Sequence, residues 1–358
     1  DKILQTIIKS LYYPECPYEL SVLPIEILGN IYEQFLGQTI RLTDSHQAKI
    51  EEKPEVKKAG GVFYTPEYIV DYIVENTIGE KIKNLKPEEI SNVKMLDPAC
   101  GSGSFLVGAY DYLLKYHLNY YTNKKNIKKS LKDAKIYQVS ENTYRLTILE
   151  KQNILLNNIY GVDIDSQAVE VTKLSLLLKL MENEAIEYYG ELFKNIKLLP
   201  DLSNNIKCGN SLLSDDYFDN EKTLFDKDTI RTINAFDWKK QFPEIFKNGG
   251  FDCIIGNPPY VRQETLGTDF KNYVKNKFAS FAGTADLYVY FFEKAHFLLK
   301  KGGFFGYIAA NKWIKTNYGS GLRNFLNSNT RLLKIIDFGE LPVFETASTF
   351  PAIIITKN

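Results

Sequence analysis

Asn257, Pro258, Pro259 and Tyr260 close the run FDCIIGNPPYV, Phe251 to Val261, and they are unusual residue types for a turn. The apolar stretch Phe251 to Ile255 reads as a buried strand. Pro258 and Pro259 must stop it, because proline has a fixed φ and no N–H to give a ladder. Bare carbonyls, one side-chain amide and one aromatic ring remain at the strand's end. Such a set suits a flat ligand with hydrogens to donate, and the exocyclic amine of a nucleobase is one. Its lone pair is delocalised into the ring. If the Asn257 side-chain oxygen and the Pro258 carbonyl accepted both its hydrogens, that pair would be pushed towards attack on a sulfonium methyl. Tyr260 would give the base a face to stack on, worth roughly 1–3 kcal/mol and comparable with the cost of flipping a base from a duplex. The bland alternative is a Pro-Pro turn that packs a tyrosine.

A second set lies upstream in MLDPACGSGSFL. Asp97 sits at the end of a short strand, and Gly101 and Gly103 make a tight turn into a helix, which puts a ligand site at the top of a sheet. The spacing is GxGxxL, with Leu106 where a dinucleotide fingerprint has its third glycine. A carboxylate at Asp97 would repel a pyrophosphate but receive a cation. A ligand with an ammonium group and no phosphate fits better than NAD, and S-adenosylmethionine is such a ligand. A purely structural glycine turn is the alternative. In NIYGVDIDSQAVEV, Asp163 ends the next strand, where an acid can accept both hydroxyls of a ribose, while Asp165 and Ser166 begin and cap a helix. In IKCGNSLL, Asn210 follows a strand and would either read an adenine edge or serve as a loop residue favouring a left-handed backbone.

Other chemistries find little support. The histidines His46, His117 and His296 are far apart, and Cys16, Cys100, Cys208 and Cys253 show no CxxC spacing. They read as reduced, cytosolic, structural thiols, with no metal site. Lys+Arg and Asp+Glu balance at 44 each, so any surface for a polyanion must be local. The composition, 44% hydrophobic and 25% charged, is that of a soluble globular protein. No run of ~18 apolar residues suggests a membrane span. The opening DKILQTIIKSLYYP has neither an initiator Met nor a signal-peptide pattern, and reads as an excerpt from a longer protein.

The elements that must position these residues follow from apolar periodicity. Residues 1–55 read as a helical connector and linker. Ile25, Ile27, Leu28, Ile31, Tyr32, Phe35 and Leu36 share one helix face, Pro24 suits a first turn, and a charged run leads to a domain opening near Gly60 or Gly61. Residues 56–358 alternate short apolar runs with amphipathic stretches, the mark of an α/β, doubly wound, mainly parallel sheet. The expected strands are Val93–Leu96, Ile159–Val162, Asn205–Cys208, Phe251–Ile255, Phe304–Ala309, Leu332–Phe338 and Ala352–Thr356. Helices are expected in SFLVGAYDYLLKYHL, SQAVEVTKLSLLLKLM and LYVYFFEKAHFLLK, and the Lys/Asn-rich stretch Tyr120–Lys135 reads as a solvated insertion.

Taken together, GGVFYTPEYIV, DPACGSGSFL, GVDID, GNPPY, LYVYFFEKAHFLLKKGGFFGYI and FGELPVFETASTFPAIII resemble the adenine-N6 DNA methyltransferases of restriction-modification systems, from about Gly60 onwards. The order of motifs looks like their gamma class, and the helical preface is similar to the connector of type IIG enzymes. The resemblance implies an S-adenosylmethionine-dependent, Rossmann-like methyltransferase in the cytoplasm. Its partner would be double-stranded DNA, with nuclease and target-recognition parts elsewhere in a longer chain. It also implies roles by position. Thr65 and Pro66 would close over the methionine end of the cofactor. Asp97, Ala99, Cys100, Gly101 and Gly103 would line it, Asp163 would hold the ribose, and Ile164 would pack on the adenine. Asn210 stands where these enzymes often have Asp. Asn257, Pro258, Pro259 and Tyr260 would be catalytic, with Phe344, or else Phe350, completing a sandwich on the flipped base. Apart from the resemblance, the loop after the tetrapeptide carries Arg262, Lys271, Lys275 and Lys277 close to the active side of the sheet, where they would either meet DNA phosphates or stand as a solvated loop. The denser run Lys124, Lys125, Lys128, Lys129 and Lys132 reads as solvated surface. Two rivals stand beside this reading: a glutamine-N5 methyltransferase acting on protein, and a cofactor- or DNA-binding subunit without turnover.

Overall fold

The computed structural model describes residues 5–6, 9–10, 38–42, 47–52, 65–183, 199–219, 226–344 and 350–358. The helical pattern around Ile25–Leu36 and the boundary at Gly60–Gly61 lie outside them. Within the stretch read as connector and linker, β1 (Gln38–Leu42) and β2 (Ala48–Glu52) instead pair as an antiparallel hairpin with Ile40 opposite Ile50. The β-branched residues Thr39, Ile40 and Ile50 favour that state.

The rest follows the alternation read from the sequence. Helix α1 (Glu67–Val74) runs on through a π turn at Glu75–Gly79 and precedes β3 (Met95–Asp97). Then come α2 (Ser104–Thr122), the hairpin of β4 (Ile136–Ser140) and β5 (Thr143–Leu146), and α3 (Ile148–Asn158). Strand β6 (Ile159–Asp163) leads into α4 (Ser166–Met181), and β7 (Ile206–Cys208) follows. The last part holds β8 (Phe251–Gly256), α5 (Thr268–Lys277), α6 (Tyr288–Leu298), β9 (Leu299–Ala310), α7 (Ser320–Asn329), β10 (Arg331–Asp337) and β11 (Pro351–Lys357).

Seven strands form one sheet in the order β10-β11-β9-β8-β3-β6-β7. From β9 to β7 every neighbouring pair is parallel, while β11 runs antiparallel between β9 and β10. The chain moves outwards in one direction from β3 to β6 and β7, and in the other through β8 and β9. The carboxyl ends of β3 and β8 therefore flank a topological switch point, where open α/β sheets bind ligands.

Burial explains the apolar runs. All six residues of β8 are buried, as a central parallel strand covered on both faces requires. One face packs on α1, α2 and α4 through residues such as Ile73, Leu106 and Leu176. The other packs on α6 and α7 through Phe292, Phe305 and Leu322. Both buried histidines on described helices have local partners. His296 Nδ1 lies 2.7 Å from the Phe292 carbonyl and Nε2 lies 2.9 Å from Thr356 Oγ1. Burial holds that ring down at about 4, so it is neutral at physiological pH.

Candidate active site

The loop after β3 is shaped by two left-handed glycines, Gly101 with φ 53° and Gly103 with φ 89°. A Cβ on Gly103 would stand 2.9 Å from Thr172 Oγ1 of α4. That same hydroxyl donates to the Gly101 carbonyl at 2.8 Å, so the turn is clamped to α4. Gly103 itself shapes the loop rather than facing the ligand space.

Asp97 is only 2% exposed, and its Oδ1 accepts the Ala99 N–H at 3.0 Å. Burial pushes its carboxyl up to about 8, against the pull of the Ala99 N–H and with help from the nearby Asp163 carboxylate. Asp163, at the end of β6, accepts the Asp165 N–H on Oδ1 at 2.9 Å and the Gly101 N–H on Oδ2 at 2.8 Å. It joins the two loops, and burial raises its pKa as well. Each of its oxygens keeps a lone pair for a ligand hydroxyl. Two buried acids this close favour a cationic ligand and oppose a phosphate. Asp165 caps α4 as expected from its type, its side chain accepting the Gln167 N–H at 2.8 Å.

The end of β8 approaches Asp97 directly. A Cβ on Gly256 would stand 2.7 Å from Asp97 Oδ1, so only glycine fits before the amide. Asn257 Nδ2 then donates to Thr65 Oγ1 at 3.2 Å. The other end of that amide, Oδ1, is buried and has no hydrogen-bond partner among the described residues. A buried amide oxygen without a partner is costly, which marks it as an acceptor waiting for a donor. Next along the chain, Tyr260 packs edge-on against Tyr288, with ring centroids 6.0 Å apart and planes at 80°. Burial pushes the Tyr260 phenol well up, so the side chain acts as a neutral ring.

These groups line one cavity of about 890 Å³. It collects Thr65, Asp97, Ala99, Cys100 and Gly101 on one side and Asp163, Ile164 and Asn210 on another. Asn257, Pro258, Pro259 and Tyr260 complete it. Cys100 is buried there, and burial raises its thiol far above the ordinary range, so it does not serve as a thiolate. Asn210 lines the cavity with its oxygen already committed: Oδ1 accepts from the Leu212 and Leu213 N–H groups at 3.1 and 3.3 Å. Its φ is not positive. A nucleobase edge would therefore meet its Nδ2 donor.

Other candidate residues stand apart. Pro66 is the N-cap of α1 and does not line the cavity. Phe344 is 4% exposed and belongs to the apolar cluster of Val343, Ile353 and Ile355, so its ring is buried in the core rather than offered to a base. Phe350 is 42% exposed just before β11 and does not line the cavity either, while residues 345–349 lie outside the described ones. Among the basic residues, Lys277 pairs with Asp216 at 2.5 Å and Lys271 donates to Gln263 Oε1 at 3.0 Å. Arg262 and Lys275 are exposed. Lysines 124, 125, 128, 129 and 132 are exposed too, and none lines the cavity.

Sequence reasoning missed some of the lining. Leu287 and Phe291 face the cavity from the start of α6, and Leu266 and Phe270 reach it from the segment after Tyr260. Phe291 is 6% exposed and looks like ordinary core in its helical pattern, so nothing local distinguishes it.

The model of the Eco57I restriction-modification methylase matches residues 157–344, more than half of the chain. The chain belongs to the Eco57I restriction-modification methylase family. The matched span holds Asp163, Asn210, the Asn257–Tyr260 set and Phe291, while the glycine loop at Gly101 precedes it by more than fifty residues. Among relatives, the type II restriction enzyme and methyltransferase RM.Eco57I of Escherichia coli is 37% identical over 98% of this chain and 33% of its own length. The type II methyltransferase M.BstVI of Geobacillus stearothermophilus is 26% identical over 83% of this chain and 42% of its own. This chain thus spans a third to two-fifths of the length of these two relatives.

Solved structures share the fold. A nuclease-deletion mutant of the type ISP restriction-modification enzyme LlaGI, in complex with a DNA substrate mimic, superposes with a TM-score of 0.53 at 19% identity, over 83% of this chain and 23% of that one. A DrdV–DNA complex gives 0.53 at 17% identity, over 86% of this chain and 27% of that one. No helix of the described residues is long and apolar enough to cross a membrane.

Proposed function

We propose that this chain transfers a methyl group from S-adenosylmethionine to the N6 amine of adenine in double-stranded DNA, as the methylase part of a restriction-modification enzyme acting in the cytoplasm. The observation that carries the reading is the buried, partnerless Asn257 Oδ1, in one cavity with Pro258, Tyr260 and two buried acids. S-adenosylmethionine, when bound, supplies a methyl group on a cationic sulfonium. Asp97 would hold its ammonium group and Asp163 its ribose hydroxyls, with Ile164 and Phe291 against its adenine.

Asn257 Oδ1 and the Pro258 carbonyl would accept the two hydrogens of the target amine. That removes lone-pair density from conjugation with the ring and leaves it on the nitrogen, with the surplus proton resting at one of these acceptors before it passes to solvent. No strong base is needed. His296 is neutral and tied to the core, and the Cys100 thiol is held protonated. Tyr260 would stack on the extruded base, and the exposed Arg262 and Lys275 would contact phosphates.

The test is transfer of a tritiated methyl group to unmethylated duplex DNA. Label in N6-methyladenine supports the reading, and label appearing on protein glutamine instead would overturn it.

A further inference from the structure

The bond between Thr65 and Asn257 spans 192 residues of chain and, as it stands, engages the Nδ2 end of the amide. Thr65 is 2% exposed and, like Asn257, lines that cavity. A hydroxyl both donates and accepts, so by itself it pairs equally well with either end of an amide. With the amide turned one way, Oδ1 is presented as an acceptor. Turned the other way, the NH2 would face a target amine, donor against donor, and nothing would draw out the lone pair.

We propose that Thr65 is a positioning residue which makes the orientation of Asn257 depend on cofactor occupancy. This rests on the reading above, in which Thr65 lies at the methionine end of the cofactor. A carboxylate accepts hydrogen bonds and gives none. When it receives the Thr65 O–H hydrogen, the lone pairs of that oxygen are what remains for Asn257. The amide must then offer Nδ2 to Thr65, as it does in this structure, and Oδ1 to the base. Cofactor binding thus prepares the acceptor before the base arrives, and by linkage a base amine bound at Oδ1 strengthens the cofactor's hold. Asp97, against Gly256, fixes the backbone just before the amide, so the side-chain rotation is the freedom left for Thr65 to govern.

The test compares wild type with Thr65→Val, which keeps the shape and loses both hydrogen-bonding functions, and with Thr65→Ser, which keeps them. One readout needs no turnover: the Asn257 side-chain NH2 resonances, assigned by their loss in Asn257→Asp. Adding S-adenosylhomocysteine should shift them and slow their hydrogen exchange in wild type and Thr65→Ser, but not in Thr65→Val. A second readout is methyl transfer to unmethylated duplex DNA with cofactor saturating. There kcat should fall about tenfold in Thr65→Val, the scale of one lost hydrogen bond, and recover in Thr65→Ser. An identical NMR response in all three proteins, or a change confined to cofactor KM, would overturn the relay. A wild type that binds S-adenosylhomocysteine and shows the NMR response yet methylates no DNA would instead defeat the proposed reaction and leave the relay standing.

Discussion

If Asp97 receives the cofactor's ammonium group as proposed, cofactor binding should release a proton, and the size of the effect follows from the environment of this carboxyl. Burial holds this carboxyl up at about 8, so at pH 7 it is about nine-tenths protonated. A ligand ammonium binds the ionised form. The apparent Kd is therefore multiplied by 1 + 10^(pKa − pH), which is roughly 100-fold at pH 6, about 11-fold at pH 7 and about twofold at pH 8. About 0.9 proton should leave per ligand bound at pH 7. The assay is calorimetric titration with S-adenosylhomocysteine between pH 6 and 7.5, in buffers of different ionisation enthalpy; above that range the ligand's own amine begins to titrate. Asp97→Asn should abolish the proton release and weaken binding by about 10- to 100-fold, the scale of a hydrogen bond between charged groups.

The sign for the protein without ligand is the opposite. A carboxyl raised above its unfolded value stabilises the fold at low pH, and that stability is lost as pH rises from about 4 through about 8. Between pH 6 and 8 the loss from Asp97 should be roughly 2 kcal/mol, or about 3 °C in Tm, and Asp97→Asn should remove that slope. Affinity independent of pH, with no proton released, would refute the assignment of Asp97 to the ammonium.

Two further outcomes are expected. If the Tyr260 ring and not its phenol serves the base, Tyr260→Ala should reduce transfer to DNA by about 10- to 100-fold through lost stacking, while Tyr260→Phe stays near wild type; matched losses in the two variants would point to the hydroxyl. Arg262→Ala with Lys275→Ala should weaken DNA binding and lower the slope of log K against log salt by about 1 to 2, whereas Lys277→Ala, whose cation is paired with Asp216, should change that slope little. Filter binding across a salt series measures both.

Much of the scaffold was legible because strand and helix periodicities are local. Each of the seven expected strands is present within a few residues, and Ser166–Met181 forms a helix with the bounds its pattern suggested. The differences arise where distant groups decide. Strand β9 begins at Leu299, not Phe304, through the polar stretch Lys300–Gly303, because Lys300 finds Asp252 at 2.8 Å across the sheet. Within the Lys/Asn-rich stretch a short helix forms at Ile127–Lys132, and the hairpin β4–β5 and helix α3 follow it in residues where no element was expected.

The site divides the same way. Asp97, Asp163 and the Asn257–Tyr260 set announce themselves by type at strand ends. Phe344 looked available in a loop, yet it fills the core, and only tertiary packing reveals that. The Thr65–Asn257 bond, made across most of the domain, has no local signature at all.

The central claim is that the Asn257 amide activates an adenine amine. Unmethylated duplex DNA incubated with the protein and S-adenosylmethionine, digested to nucleosides and analysed by mass spectrometry, tests it most directly. The expected result is N6-methyldeoxyadenosine from wild type and none above background from Asn257→Ala, with S-adenosylhomocysteine affinity within about threefold, since Oδ1 has no hydrogen-bond partner among the described residues. Methylation of another base, or an Asn257→Ala protein that still forms N6-methyldeoxyadenosine at the wild-type rate, would contradict it.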